Sequence, residues 1–229
     1  MNIQAKFLIA SFVACMASFA PNVAAGVIQS PTSAVIDLGG PGFGSITNTL
    51  NQAGLSSGFV SGVTDFDTYI GTGPTHTLIF GCCEWFSNSG TTSATVTYNM
   101  GAAYNIARLA LWNEESSGIG SLDLSTSLDG ITFSTLALGL VPTDNPLADY
   151  PADVFSFATT SAQFIRFEMS GCPQALPGSF AACAIGEVAF DVVQGAQVVP
   201  EPASVILFGI GLFGFAAVRH KKKQGFLLP

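Results

Sequence analysis

The stretch SLDLSTSLDGITFSTL, residues 121–136, decides the fold class of this chain. Apolar and polar residues alternate on both sides of Asp129-Gly130. Alternation with a period of two is typical of a half-buried β-strand. An Asp-Gly pair between two such runs is a strong signal for a β-hairpin. The stretch therefore predicts two antiparallel strands joined at Asp129-Gly130.

The same alternation recurs along the chain, and no segment shows a sustained helical period. The further strand-like segments are ATVTYNM (94–100), NIARLALW (105–112), AQFIRFEMS (162–170) and AIGEVAFDVV (184–193). Short strands separated by Gly, Pro, Asp and Ser are typical of a β-sandwich or a jelly roll. We therefore expect an all-β domain, a single jelly-roll-like sandwich over residues 26–193.

Three of these segments also predict which side chains point inward. Val96, Tyr98 and Met100 share one face of the first segment, and Ile165, Phe167 and Met169 share one face of the third. In NIARLALW, the alternation places Leu109 and Leu111 on one face and Ile106 and Trp112 on the other. The segment NTLNQAGL (48–55) predicts either one helical turn or a loop.

The N-terminal residues have the layout of a secretory signal peptide. Lys6 precedes an apolar stretch over 7–19, and the small residues Val23 and Ala25 precede Gly26. A basic start, an apolar centre and a small-residue cleavage site define such signals. We expect residues 1–25 to be removed on export.

The charge of the remaining chain excludes one class of partner. Between residues 26 and 198 there are two arginines, no lysine and fourteen acidic residues, a net charge of −12. Nucleic-acid binding needs clustered Lys and Arg, so we expect no nucleic-acid partner. The acidic surface is compatible with solubility and with divalent cations.

Four cysteines remain after the signal peptide, an even number that predicts disulfides in an exported protein. Cys172 and Cys183 enclose a short Pro- and Gly-containing loop and are expected to pair. Cys82 and Cys83 are free, bonded to each other, or cross-paired with the other two. A zinc site is disfavoured because there is no C-x₂-C pair and His76 is the one histidine between signal and tail.

The tail VPEPASVILFGIGLFGFAAVRHKKK, residues 199–223, resembles the PEP-CTERM sorting signal. The Val199, Pro200, Glu201, Pro202 motif precedes an apolar segment at 203–218 and a basic cluster at 219–223, which contains Arg219, Lys221, Lys222 and Lys223. Residues 194–198 form the linker, and 224–229 follow the cluster. The resemblance implies export across the inner membrane of a Gram-negative bacterium, transient membrane anchoring, processing by an exosortase, and a final place at the cell surface or in the extracellular matrix.

The length of the apolar segment and the position of the basic cluster also favour a sorting signal. Sixteen helical residues at about 1.5 Å each span about 24 Å, less than the roughly 30 Å hydrocarbon core. The basic cluster stays on the cytoplasmic side, which leaves residues 199–202 outside. The two prolines keep this exported motif extended, as a processing enzyme requires. The alternative is a plain single-span membrane anchor.

Residues 94–192 are similar to the discoidin, or coagulation factor 5/8 C-type, family. The similarity rests on Met100-Gly101, the turn at 127–130, Arg166 and Glu187. It implies a galactose-binding-like β-sandwich. In that fold a structural calcium often lies between an early loop and the last strand, so Asp65, Asp67 and Glu187 are the candidate ligands, with Thr68 beside them. The alternative is that Glu187 only accepts hydrogen bonds from backbone amides.

The same resemblance places ligand-binding loops at one end of the sandwich. Sugar sites need an aromatic ring with polar groups beside it. CCEWFSNSG (82–90) supplies Trp85, Glu84 and Asn88, and WNEES (112–116) supplies Trp112. Core packing is the alternative for Trp112 and for Trp85.

No sequence motif of a hydrolase, metalloprotease or nucleotide-binding enzyme is present. We interpret Glu114 and Glu115 as solvated loop acids and His76 as an ordinary loop histidine. The first hypothesis is therefore an exported, non-catalytic surface or matrix protein that binds a glycan or exopolysaccharide. The alternatives are a structural matrix protein without a specific ligand and a glycan-acting hydrolase.

Overall fold

A computed structural model describes residues 26–176 and 178–193. The signal peptide, the linker, the sorting motif, the apolar segment and the basic cluster lie outside the described residues. The described residues form eleven strands, one short α-helix and one 3-10 helix. The strands are β1 (Val27–Gln29), β2 (Ser33–Leu38), β3 (Phe43–Gly44), β4 (Thr75–His76), β5 (Trp85–Phe86), β6 (Ser93–Asn113), β7 (Ser121–Ser127), β8 (Ser134–Leu140), β9 (Tyr150–Pro151), β10 (Asp153–Ser170) and β11 (Ala184–Val192); α1 is Phe66–Gly71 and the 3-10 helix is Ile46–Leu50.

The predicted hairpin is confirmed. β7 and β8 pair antiparallel on either side of Asp129-Gly130. The Asp129 carboxylate accepts hydrogen bonds from the backbone amides of Ile131 and Thr132, both at 2.8 Å. These amide donors lower the pKa of Asp129 to about 2. Gly130 has a φ of +73°, which a glycine adopts without steric cost.

The long antiparallel pair β6–β10 organises the fold. It runs from Ser93 opposite Ser170 to Leu111 opposite Asp153, with two irregularities in its register. β2 and β7 flank one end of this pair, whereas β11 flanks the other. A single nine-stranded sheet therefore folds over into the two layers of a β-sandwich. The segments at 94–100 and 105–112 belong to one strand, because Gly101 bends the chain at a φ of +82° without ending it.

The core lies between the two layers and combines many aliphatic side chains with a few aromatic rings in contact. The rings of Tyr98 and Phe167 are 5.0 Å apart, and those of Phe167 and Phe190 are 6.3 Å apart. All three side chains are fully buried. The inward faces predicted for 94–100 and 162–170 are confirmed.

The predicted face of Ile106 is wrong. Ile106 lies in the same core as Leu109 and Leu111. β11 pairs Asp191 with Arg108 but Val192 with Ile106, so one residue of β6 has no partner. An extra residue of this kind reverses the alternation of the strand, which moves Ile106 to the other face.

A second, smaller core covers the outer face of β6 and β11. It contains Phe66 and Tyr69 of α1 together with Trp112. Residues 48–50 form the end of the 3-10 helix and residues 51–55 form a loop, so both alternatives predicted for this segment are present in it. Within 26–176 and 178–193, no helix is long and apolar enough to cross a membrane.

Replacing Phe167 by Ala is expected to destabilise the domain by about 3–5 kcal/mol, because it removes a buried ring and leaves a cavity. Urea unfolding measures this loss. Ile131→Ala is the control, since Ile131 is 84% exposed and its loss is expected to stay within about 0.5 kcal/mol. A loss below about 1 kcal/mol for Phe167→Ala would contradict the assigned core.

Candidate functional site

Loop 77–83 lies against the start of β3, beside β5. Together they present a pair of aromatic rings to solvent. The rings of Phe43 and Phe80 are nearly parallel, at 8°, with centroids 5.3 Å apart. Phe43 is 48% exposed and Phe80 is 56% exposed. We call this pair the aromatic platform. Ile79, next to Phe80, is also exposed, so the surrounding surface is apolar.

Other phenylalanines support the platform from below. The Phe80 ring lies 5.1 Å from Phe86 and 6.0 Å from Phe180. Phe86 is fully buried and pairs with Phe43 across β3 and β5. The platform therefore rests on the sandwich itself.

The prediction that Trp85 and Trp112 offer exposed rings to a sugar is wrong. Both side chains are fully buried. The Trp85 indole N–H donates to the carbonyl of Pro41 at 2.9 Å, and that of Trp112 donates to the carbonyl of Pro74 at 3.0 Å. A buried indole that has found an acceptor is a packing residue.

Asn88 is exposed, as predicted, and its amide organises the loop that leads to Phe43. Its Nδ2 donates to the carbonyl of Gly40 at 2.6 Å, and its Oδ1 accepts from the amide of Gly42 at 2.9 Å. Trp85 binds the residue between these two glycines. Trp85 and Asn88 thus position the loop that carries one ring of the platform.

Glu84 directly follows the loop that carries Phe80, the other ring of the platform. Loop 77–83, which contains Phe80, begins after His76 and ends before Glu84. His76 Nδ1 and Glu84 Oε1 are 3.8 Å apart, and both side chains are buried. Burial raises the pKa of Glu84 to about 7. Glu84 is therefore a support of the platform and does not reach the surface.

His76 is not the loop residue that the sequence predicted. It belongs to β4 and is fully buried. Its Nδ1 lies 2.9 Å from the Tyr150 hydroxyl, and its Nε2 lies 3.0 Å from the carbonyl of Ala53. Burial lowers the pKa of His76 and outweighs the carbonyl contacts that would favour the charged ring.

The interpretation of Glu114 and Glu115 as solvated acids is also wrong. They are 1% and 3% exposed. Glu114 accepts hydrogen bonds from the amides of Ser116 and Ser117, while Glu115 Oε2 has no hydrogen-bond partner. Burial, and then the neighbouring Glu114, raise the pKa of Glu115 to about 8. We call Glu84, Glu114 and Glu115 the acidic cluster, because the three carboxyls lie within electrostatic range of one another.

Two disulfides are formed among the described residues. Cys172 and Cys183 are bonded, as predicted. Cys82 and Cys83 are bonded to each other, which resolves the three possibilities that the sequence left open. This second bond lies in loop 77–83 and ends next to Glu84. Because all four thiols are used, none of them is free to bind zinc.

The residues predicted to bind calcium do not fit a calcium ion. Asp65 accepts from the amide of Thr68 at 2.8 Å and caps α1. Asp67 pairs with Arg108. Glu187 is buried, its Oε2 accepts from the amide of Gln52 at 2.6 Å, and its Oε1 has no partner. In the part of the chain that the structure describes, no group of three or more His, Cys, Asp or Glu is placed to hold a metal.

Burial raises the pKa of Glu187 well above its usual value, which favours the neutral carboxyl. A protonated carboxyl carries no charge, so no cation is needed to balance Glu187 in this buried position. The geometry agrees with the alternative in which Glu187 accepts a hydrogen bond from a backbone amide.

Sequence reasoning selected residues 82–90, which adjoin the platform, but missed both of its rings. Phe43 lies in GGPGFGS (39–45), and Phe80 lies in LIFGCC (78–83). An aromatic residue flanked by glycine outside any alternating strand was the available signal. The sequence analysis named Trp85 and Trp112 as the stacking rings, yet in this fold both are buried.

The C-terminal prediction is confirmed by comparison with known families. Residues 198–222 match the family model described as the PEP-CTERM protein-sorting motif. This motif marks an exported chain that passes through a membrane. No curated protein matches the sequence.

Several solved carbohydrate-binding modules are similar to this chain. A chitosan-binding module from a Paenibacillus sp. IK-5 chitosanase/glucanase has 14% identity and a TM-score of 0.47, covering 72% of this chain and 98% of that one. A module of AlyQ, in complex with 4,5-unsaturated mannuronic acid, has 14% identity and a TM-score of 0.45, covering 71% and 96%. The Clostridium perfringens module CpGH89CBM32-5, in complex with GalNAc-β-1,3-galactose, has 14% identity and a TM-score of 0.46, covering 71% and 94%.

Asp65→Ala is expected to lower the melting temperature because the first turn of α1 loses its cap. If the carboxylate only caps the helix, the decrease is expected to be equal in calcium and in a chelator. Differential scanning calorimetry under both conditions measures it, with Glu168→Ala as a control at an exposed acid on β10. A decrease that appears only in calcium would show that Asp65 binds the ion.

Proposed function

We propose that this chain is an exported, non-catalytic protein that binds a glycan on the aromatic platform. The observation that supports this proposal is the exposed, parallel pair Phe43 and Phe80. Exposed apolar patches of this kind are typical of binding sites. A sugar ring carries C–H groups on its faces, and these pack against the electron-rich face of an aromatic ring.

The platform is organised before any ligand arrives. Phe80 packs on Phe86 and Phe180, and the loop that carries Phe43 is held by Trp85 and Asn88. A rigid aromatic surface loses little side-chain entropy on binding, so more of the contact energy contributes to affinity. Preorganisation therefore favours a binding function for these rings.

The charge of the domain selects the class of glycan. Residues 26–198 carry a net charge of −12, and the described part of the chain contains two arginines. Both arginines lie against acidic residues, Arg108 beside Asp67 and Asp191 and Arg166 near Asp37. Such a surface repels a polyanion. We therefore expect a neutral or amino-sugar polymer as the ligand.

The placement of the acidic residues supports a non-catalytic role. Hydrolysis of a glycosidic bond requires two carboxyls that face a substrate. Glu114 and Glu115 are buried, and Asp65 and Asp67 are engaged by the end of α1 and by Arg108. These pairs are therefore occupied in structural roles.

Phe80→Ala is expected to weaken binding at least about tenfold, because a well-packed aromatic anchor commonly contributes more than about 1.4 kcal/mol. Affinity electrophoresis in a soluble neutral glucan, an amino-sugar polymer and a polyuronate measures this effect. Ile131→Ala is the matched control, because it removes an exposed apolar side chain from the turn between β7 and β8.

Three outcomes would contradict the proposal. Equal binding by Phe80→Ala and the wild type would show that the ligand lies elsewhere. Absence of binding by the wild type to all three polymers would favour the structural matrix protein. Release of sugars from any polymer would favour the hydrolase.

The sorting motif predicts a shortened mature protein. If the exported chain is processed at the motif, its C-terminus is expected near residues 199–202, without the apolar segment and the basic cluster. Mass spectrometry of the protein from its native host measures the terminus, with a Pro200→Ala, Pro202→Ala variant as control. A mature chain that retains Lys223 would support the plain membrane anchor.

A further inference from the structure

The residues at the two ends of loop 77–83 connect the aromatic platform to a buried set of titratable groups. His76 precedes the loop and Glu84 follows it, and their side chains lie 3.8 Å apart. Phe80 is at the centre of the loop. Gly81 also belongs to it and lies directly against the Phe43 ring, so both rings of the platform depend on its conformation.

Four structural elements bring titratable groups to the ends of loop 77–83. His76 comes from β4, Glu84 from the residue before β5, and Glu114 and Glu115 from the residues after β6. Tyr150 of β9 contributes its hydroxyl, 2.9 Å from His76 Nδ1. Asp149 next to it accepts from the amide of Leu78 at 3.0 Å, which ties loop 77–83 to β9.

No cationic side chain balances the acidic cluster. Arg108 and Arg166, the arginines of the described residues, lie against other acids, and the described residues contain no lysine. Glu115 Oε2 is buried without a partner. Three buried carboxylates without a counter-charge would be strongly unfavourable, so protons must neutralise part of the cluster.

We propose that protons on the acidic cluster keep loop 77–83 closed, and that their loss at alkaline pH releases the loop and weakens glycan binding on the platform. The predicted effect on glycan binding rests on the proposed function, whereas the predicted movement of the loop does not. Release follows from charge. When Glu84 and Glu115 ionise beside Glu114, the residue that ends the loop is repelled from the residues that follow β6.

The directions of the pKa shifts give the pH range. Burial raises the pKa of Glu84 to about 7 and that of Glu115 to about 8. A glutamate whose pKa is raised in the closed state stabilises that state fully when the pH is below the usual glutamate pKa. This stabilisation is lost as the pH rises through about 7 to 8. The lowered pKa of His76 acts in the opposite direction and weakens the closed state at acidic pH. The loop is therefore most firmly closed at mildly acidic pH.

Hydrogen exchange of the backbone amides in loop 77–83 tests this proposal without any ligand. After correction for intrinsic exchange rates, protection in the wild type is expected to fall at least about tenfold between about pH 6 and pH 9, since one pKa unit corresponds to a tenfold change. The double variant Glu84→Gln, Glu115→Gln cannot ionise at either position and is expected to reduce the change to within about threefold, whereas each single variant is expected to keep part of it because the other glutamate still ionises. Glu168→Gln, at an exposed position on β10, is the matched control and is expected to behave as the wild type.

Binding of the neutral glucan and of the amino-sugar polymer, measured over the same pH range, separates the two proposals. A pH-dependent loop with no binding of either polymer at any pH would overturn the proposed function and leave the movement of the loop intact. Binding that does not change with pH, or loop protection that does not change in the wild type, would overturn the switch. Recovery of protection at pH 9 on adding calcium, lost in a chelator, would also overturn it by showing that the cluster holds a cation.

Discussion

The antiparallel pairing of β6 with β10 is the constraint on which the rest of the structure depends. Both strands are long enough to pass through the two layers of the sandwich, so they connect the layers covalently as well as through hydrogen bonds. β2, β7 and β11 pair with one end or the other of this long pair, and the remaining strands of the large sheet attach through β7 and β11. The facing side chains then form one core, in which the Phe167 ring contacts Tyr98 on the neighbouring strand and Phe190 of β11.

The candidate site lies where the short strands β3 and β5 join the edge of this sheet. Backbone N–H and C=O groups beyond the last paired residues of these strands need other hydrogen-bond partners, because an unpaired buried polar group is costly. Trp85 and Asn88 supply them for the loop before Phe43, and Asp149 supplies one for the loop that carries Phe80. The buried Trp85 and the exposed Asn88 thus support the platform, while the apolar surface itself comes from the two exposed phenylalanines.

The scarcity of basic residues has consequences inside the domain as well as on its surface. Outside, the net negative charge disfavours polyanionic partners. Inside, it leaves the carboxyls of Glu84, Glu114 and Glu115 without a cationic partner, so their burial depends on protons and on the Ser116 and Ser117 amides. In the proposed function and the proposed switch, one feature of composition therefore influences both the class of ligand and the response of the site to pH.

The sequence by itself determined the elements whose signal is local. Alternation with a turn at Asp129-Gly130 identified the hairpin, the inward faces of 94–100 and 162–170 followed from strand geometry, and the order of motif, apolar segment and basic cluster identified the sorting signal. Tertiary structure alone decided the burial of the polar groups and of the tryptophans. Glu114, Glu115, His76 and both tryptophans have sequence surroundings that also suit an exposed loop, and only the packing of β4, β5, β9 and β11 around them removes them from water. The switch of Ile106 to the core was likewise decided by the partner strand, because an extra residue in β6 is defined only by its pairing with β11.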